Sequence, residues 1–201
     1  MIAEKQTYVD LPIPEDGHPW PPQGEWTYDD YLRLPDDGRR YEIIEGVLYV
    51  TNAPDLDHQS AVGELFAELR SYVRKNNLGI VIPAPLEVHL PGIAKPVQPD
   101  VLFVTTERRP PAGAKFFEGA PDLIVEVLSQ STLRLDRRTK FDAYERAGVR
   151  EYWIVDTRSH FVEVYVLSRG EYALHGQFGP GEQLTSQVLA GLSIPVDRIF
   201  G

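Results

Sequence analysis

One glutamate stands where charge is costly. Glu126 lies inside Leu123-Ile124-Val125-Glu126-Val127-Leu128, with five apolar neighbours in a run of six. Side chains alternate along a strand, so Leu123, Val125 and Val127 take one face and Ile124, Glu126 and Leu128 the other. An ionised carboxylate there is expensive unless a cation, a hydrogen-bond network or a metal compensates it. The alternative is an edge strand with Glu126 turned to water.

A second acid precedes a similar run. Asp100 follows Gln98-Pro99 and opens Val101-Leu102-Phe103-Val104. Proline lacks an N–H donor and suits a strand entrance. If the two apolar runs pair, Asp100 and Glu126 could reach one ion. Magnesium takes oxygen ligands and needs only one or two carboxylates, with water and substrate phosphate completing its shell. Lys140 and Tyr144, four residues apart, share a helix face. The lysine could offset negative charge that develops during phosphoryl chemistry, or it could be an exposed helix lysine. The five histidines, His18, His58, His89, His160 and His175, show no ligand-type spacing. With no cysteine, disulfides and thiolate zinc sites are excluded.

The elements that must position these groups follow from periodicity. Thr27 to Leu32 reads as a short capped helix stopped near Pro35. Arg40–Ile44 and Val47–Val50, joined by Glu45-Gly46, read as a hairpin. Ala61, Leu65, Leu69, Tyr72 and Val73, widened by Val62 and Phe66, recur at helical spacing between Asp57, a candidate cap, and Asn77. Strands are expected at 80–82, 86–90, 101–104 and 123–128. Asp136 opens a helix ended by Gly148, and strands at 151–155 and 161–166 are joined through Thr157–His160. Residues 171–200 read as one or two peripheral strands and a closing loop. This is an α/β (α+β) order, a mixed sheet flanked by helices. Residues 1–24, which hold Pro12, Pro14, Pro19, Pro21 and Pro22, resist regular structure. They read as an arm ahead of one domain, 25–201.

Composition narrows the partners. The 201 residues suit one domain, and the 42% hydrophobic and 25% charged content is ordinary for a globular chain. The net charge of −10 is awkward for a nucleic-acid binder, because phosphate contacts need local Lys and Arg. Two basic clusters, Arg134, Arg137, Arg138 with Lys140 and Arg70, Arg74 with Lys75, are either a basic face or solvated helix surface. No apolar run approaches the roughly 18 residues of a membrane span. The N-terminus lacks the apolar region of a secretory signal, so a cytoplasmic location without membrane contact is expected.

In this order the features resemble the PD-(D/E)XK nuclease superfamily and, more narrowly, the Uma-two family of restriction-endonuclease-like proteins. The resemblance runs from about Glu25 to the C-terminus. It is carried by Arg40-Tyr41-Glu42-Ile43-Ile44-Glu45-Gly46, Gln98-Pro99-Asp100-Val101-Leu102-Phe103-Val104, Gly119 to Ser129, Lys140-Phe141-Asp142-Ala143-Tyr144, and Gly148 to Asp156. It implies a restriction-endonuclease-like mixed sheet with an added N-terminal hairpin and C-terminal strands. It also implies a Mg2+-dependent endonuclease acting on DNA, with Mn2+ as a substitute and a homodimer as the simplest way to cut two strands.

By the same resemblance Asp100 and Glu126 are metal ligands, joined by the main-chain carbonyl of Val127. Glu42 sits near the metal, Lys140 and Tyr144 join the catalytic set, and His58 is an accessory residue of the long helix. The superfamily lysine two residues after the second acid is absent, since that position is Leu128, and Lys140 must replace it from the following helix. A fold kept for binding or scaffolding without cleavage is the alternative reading.

Overall fold

The computed structural model describes residues 11–12, 17–129 and 132–201. Part of the expected N-terminal arm lies outside them. In chain order the elements are α1 (Tyr28–Tyr31), β1 (Arg40–Ile44), β2 (Val47–Thr51), α2 (Leu56–Lys75), β3 (Gly79–Pro83), β4 (Glu87–Leu90), β5 (Ala94–Val97) and β6 (Val101–Thr105). There follow β7 (Phe116–Glu118), β8 (Leu123–Val127), a π-helical turn (Leu135–Lys140), α3 (Phe141–Ala147), β9 (Glu151–Asp156), β10 (Phe161–Ser168) and β11 (Glu171–Phe178). β12 (Gln183–Thr185), β13 (Ser193–Pro195) and α4 (Asp197–Phe200) close the chain.

The strands make two large sheets rather than one. The main sheet runs β11-β10-β9-β8-β6-β3, a second runs β2-β1-β5-β4-β7, and β12 pairs with β13. The expected hairpin is therefore built into a five-stranded sheet, where Ile44 of β1 pairs with Ala94 of β5. Sequence periodicity hid that sheet. β5 reads Ala94-Lys95-Pro96-Val97, broken by a charge and a proline, and β7 has only three residues. β11 is longer than expected and forms an edge of the main sheet along β10.

Alternation along β6 and β8 separates two cores. Val101, Phe103, Leu123, Val125 and Val127 meet Ala61, Leu65, Leu69 and Val73 of α2 on one face. Leu102, Val104, Ile124 and Leu128 meet Tyr144, Tyr152 and the second sheet's Ile44, Val88 and Val97 on the other. α2 starts at Leu56 because the Asp55 carboxylate accepts the His58 N–H at 2.9 Å. The cap is thus Asp55, and Asp57 falls in the first turn. Ahead of α1, Trp20 stacks on Trp26 with ring centroids 5.4 Å apart. Among the described residues no helix is long and apolar enough to cross a membrane.

Candidate active site

Strand pairing brings the two acids together. β6 and β8 are antiparallel with Val101 opposite Val125, and the same register carried one residue further sets Asp100 opposite Glu126. β8 lies between β6 and β9, and Glu126 is 2% exposed. The edge-strand alternative is thereby excluded: the glutamate is buried at the centre of the sheet.

The cation comes from the crossover. β8 and β9 are parallel, and parallel strands need a long connection, here the π turn and α3. This segment lies on the Glu126 face. Lys140 Nζ donates to Glu126 Oε1 at 3.0 Å, and Tyr144 Oη donates to the same oxygen at 2.7 Å. Lys140 is 2% exposed, so it belongs neither to a basic surface nor to a solvated helix face. Its Nζ also lies 2.9 Å from Glu42 Oε2 and 3.5 Å from Asp136 Oδ1. Of the remaining cluster, Arg137 pairs with Glu163 and Arg138 is exposed.

Asp100 is held from three sides. Its Oδ2 accepts the Val127 N–H at 2.9 Å and faces His58 Nε2 at 3.2 Å, while Oδ1 accepts from Arg40 Nη1 at 2.9 Å. Glu42, on β1, accepts the Gln98 N–H through Oε1 at 2.6 Å, which ties the second sheet to the Asp100 loop. Glu42, His58, Asp100, Glu126, Val127 and Lys140 line one cavity of about 20 Å3, together with Arg40, Thr51, Thr132 and Asp136. Tyr144 stands behind Glu126, outside that lining. The position of the superfamily lysine, Leu128, is packed into the core at 5% exposure.

Burial governs the electrostatics. It pushes Asp100 up, but the His58 bond, the Arg40 charge and the Val127 N–H outweigh it and hold the carboxyl at about 2. Burial drives Glu126 well above the ordinary carboxylate range; Lys140 opposes this, while Asp136, Asp100 and Glu42 add to it. Asp136 is pushed up to about 6 by burial against the opposing Lys140 charge. Lys140 is lowered by burial but raised well above its ordinary value by Glu126, Glu42 and Asp136.

These residues fit a divalent cation on three counts. Four carboxylates, those of Glu42, Asp100, Glu126 and Asp136, converge there against two cationic side chains, Arg40 and Lys140. Glu42 Oε2 and Asp136 Oδ1 are buried without an aligned hydrogen bond, although both face Lys140. The cavity suits one guest of water size. Among the described residues no three carboxylate or histidine side chains close into a ready-made metal cage. A hard cation here would engage one or two carboxylates and keep water, as magnesium does.

Two members of the cluster escape a reading of the sequence. Asp136 looks like a helix cap, yet its i,i+4 spacing to Lys140 was the available signal. Arg40 lies in the same early motif as Glu42, and only a tertiary contact reveals its bond to Asp100.

The two-sheet fold around buried acids defines a restriction-endonuclease-like α+β domain. The chain belongs to the Uma2 family, described as "Putative restriction endonuclease", which matches residues 28–197. A solved relative in fold is a DUF820 "putative nuclease" from Anabaena variabilis ATCC 29413. It is 22% identical, with 87% of this chain and 97% of that chain covered and a TM-score of 0.72. No curated protein matches.

Proposed function

We propose that the buried acid cluster binds a divalent cation, Mg2+ or Mn2+, and hydrolyses phosphodiester bonds in DNA. The observation that carries this reading is the convergence of Asp100 and Glu126, from paired central strands, with Lys140 from the crossover helix. Family membership supports a nuclease in general terms. A bound divalent cation would supply Lewis-acid polarisation of the phosphate and acidify an attacking water.

The protein's own groups do the positioning. Asp100 and Glu126 would offer oxygens to a bound cation, and the Val127 main-chain carbonyl would be the third protein ligand. The contacts of Lys140 described above are all with carboxylates, so it holds Glu126 and Glu42 in place and offers an incoming phosphate its charge. Tyr144 fixes the Glu126 oxygen it shares with Lys140, and His58 with Arg40 keeps Asp100 ionised. In the reaction a water oxygen bonds to phosphorus as one P–O ester bond breaks, and the leaving oxygen takes up a proton. Such preorganised charge carries most of the catalysis in chemistry of this kind. Two copies of the chain would let both strands be cut.

A non-catalytic binding protein is the rival, favoured by the internal pairing of Lys140 with three acids. Plasmid incubated with Mg2+ or Mn2+ separates the two. Nicking by the wild type that disappears in Asp100→Ala and in Glu126→Ala supports the enzyme. Equal cutting by all three, or none by the wild type, supports the rival.

A further inference from the structure

Beside the acid cavity lies a second, larger hollow of about 560 Å3. The two share one residue, Arg40, which lines both. Their walls are also continuous along the chain: Thr51, the last residue of β2, borders the acids, while Asn52, Ala53 and Pro54 of the link that follows wall the larger hollow. Its size falls in the range of small-molecule pockets, roughly 300–1,000 Å3. Leu32, 63% exposed, and Pro54 give it apolar surface, while Asn52 and Gln98 give amide groups. Among the described residues the side-chain bonds of Arg40 run through Nη1, to Asp100 and the Gln98 carbonyl.

Access decides what can use this geometry. The four acids are only 1–2% exposed, so a phosphodiester must dip in past Arg40 to meet a cation beside them. A straight duplex holds its backbone on the outside of a wide cylinder and keeps both neighbouring bases stacked. The chain, at a net charge of −10, is also ill suited to a long track of phosphate contacts, which would require many cations. Stacking and pocket contacts supply affinity to a single strand without such a track.

From this we propose that the hollow receives one unstacked nucleotide next to the scissile phosphate. The preferred substrate is then nucleic acid with an unpaired base at the cut, such as a bulge, a flap or a single strand, rather than paired duplex. The base lies against Leu32 and Pro54 with its edge toward Asn52 and Gln98, and Arg40 meets the phosphate between hollow and acids. A base already unpaired avoids the cost of extrusion, which favours such substrates. This inference rests on the nuclease reading for its catalytic consequence, but not for its binding consequence.

The test therefore reads binding first. Oligonucleotides of one sequence, fully paired or carrying a one-nucleotide bulge, are titrated by fluorescence anisotropy in calcium. The bulged strand should bind about fivefold tighter or more, the preference expected when an already unpaired base avoids the cost of extrusion. Ala53→Trp, which fills the hollow from an exposed position, should erase that preference, and so should Leu32→Glu. Thermal melts of both variants should match the wild type. Equal affinity for the two oligonucleotides, or a preference unchanged in both variants, overturns the proposal.

Cleavage in Mn2+ is read separately. The same variants should lose selectivity for the bulge, read as the ratio of bulged to paired cleavage rates, and wild-type hydrolysis of bis(p-nitrophenyl) phosphate, which needs no such pocket, reports the chemistry by itself. No hydrolysis of any substrate by the wild type would refute the nuclease reading and leave the binding result to decide this one.

Discussion

Lys140 and Tyr144, one helical turn apart, donate to the same oxygen of Glu126, at 3.0 and 2.7 Å. A buried acid in the middle of a sheet is thus answered by a helix that packs over it. Removing the acid's charge and removing the lysine's charge should have unlike consequences. Glu126→Gln keeps an acceptor for Tyr144 and spares the protein a carboxylate that burial disfavours. Its melting temperature should stay within about 2–4 °C of wild type, the shift for 1 kcal/mol in a chain of this size, while metal-dependent cleavage falls about 100-fold or more. Differential scanning calorimetry beside a cleavage assay checks both.

Lys140→Met leaves Glu126, Glu42 and Asp136 without their shared cation. Breaking a buried pair costs about 3–5 kcal/mol, which corresponds to a loss of roughly 6–20 °C in melting temperature. A melt unchanged by this substitution would mean that the lysine does not hold the acids.

Stability should depend on pH through Asp136. Its folded value is about 6 against an ordinary 3.8, so between these values the folded state binds more protons than the unfolded one. Stability then falls as pH rises through that window. At about 1.4 kcal/mol per unit, the loss is on the order of 3 kcal/mol. Asp100 acts in the opposite sense: held at about 2, it contributes stability above its unfolded value that disappears as pH drops toward 2. Urea midpoints of wild type and Asp136→Asn should converge near pH 4, with the variant becoming the more stable of the two by pH 7. Because protons and a divalent cation compete for these oxygens, Mn2+ should raise the melting temperature more at pH 8 than at pH 5.

The missing superfamily lysine yields a double-mutant cycle. Leu128→Lys alone buries a second ammonium in a packed core and should be strongly destabilising. Combined with Lys140→Met, the new lysine faces acids that have lost their cation. The double variant should therefore be more stable than the sum of the single losses by about 1 kcal/mol or more, measured by urea unfolding. Additive losses would show that position 128 cannot reach the acids.

Much of this arrangement is legible in the sequence, for physical reasons. A charge inside an otherwise apolar run of six residues is conspicuous because strands alternate, and the 3.6-residue stripe of α2 states which face is covered. Lys140 and Tyr144 at i,i+4 fix a shared helix face before any tertiary contact is known. Arg40 and Asp136 are harder to see. Arg40 shows its place only through its tertiary bond to Asp100, and Asp136 reads first as a helix start, its i,i+4 spacing to Lys140 being the one local sign. The second sheet is hidden because Pro96 and Lys95 mask β5 and because β7 is too short to show a period.

Binding of a divalent cation by the buried acids is read by anomalous diffraction from crystals soaked in Mn2+, collected at the manganese edge. A peak is expected in the small cavity within coordination distance of Asp100 and Glu126 oxygens, and it should be lost in Asp100→Ala. A cavity without manganese, with ions only at surface carboxylates, would contradict such binding.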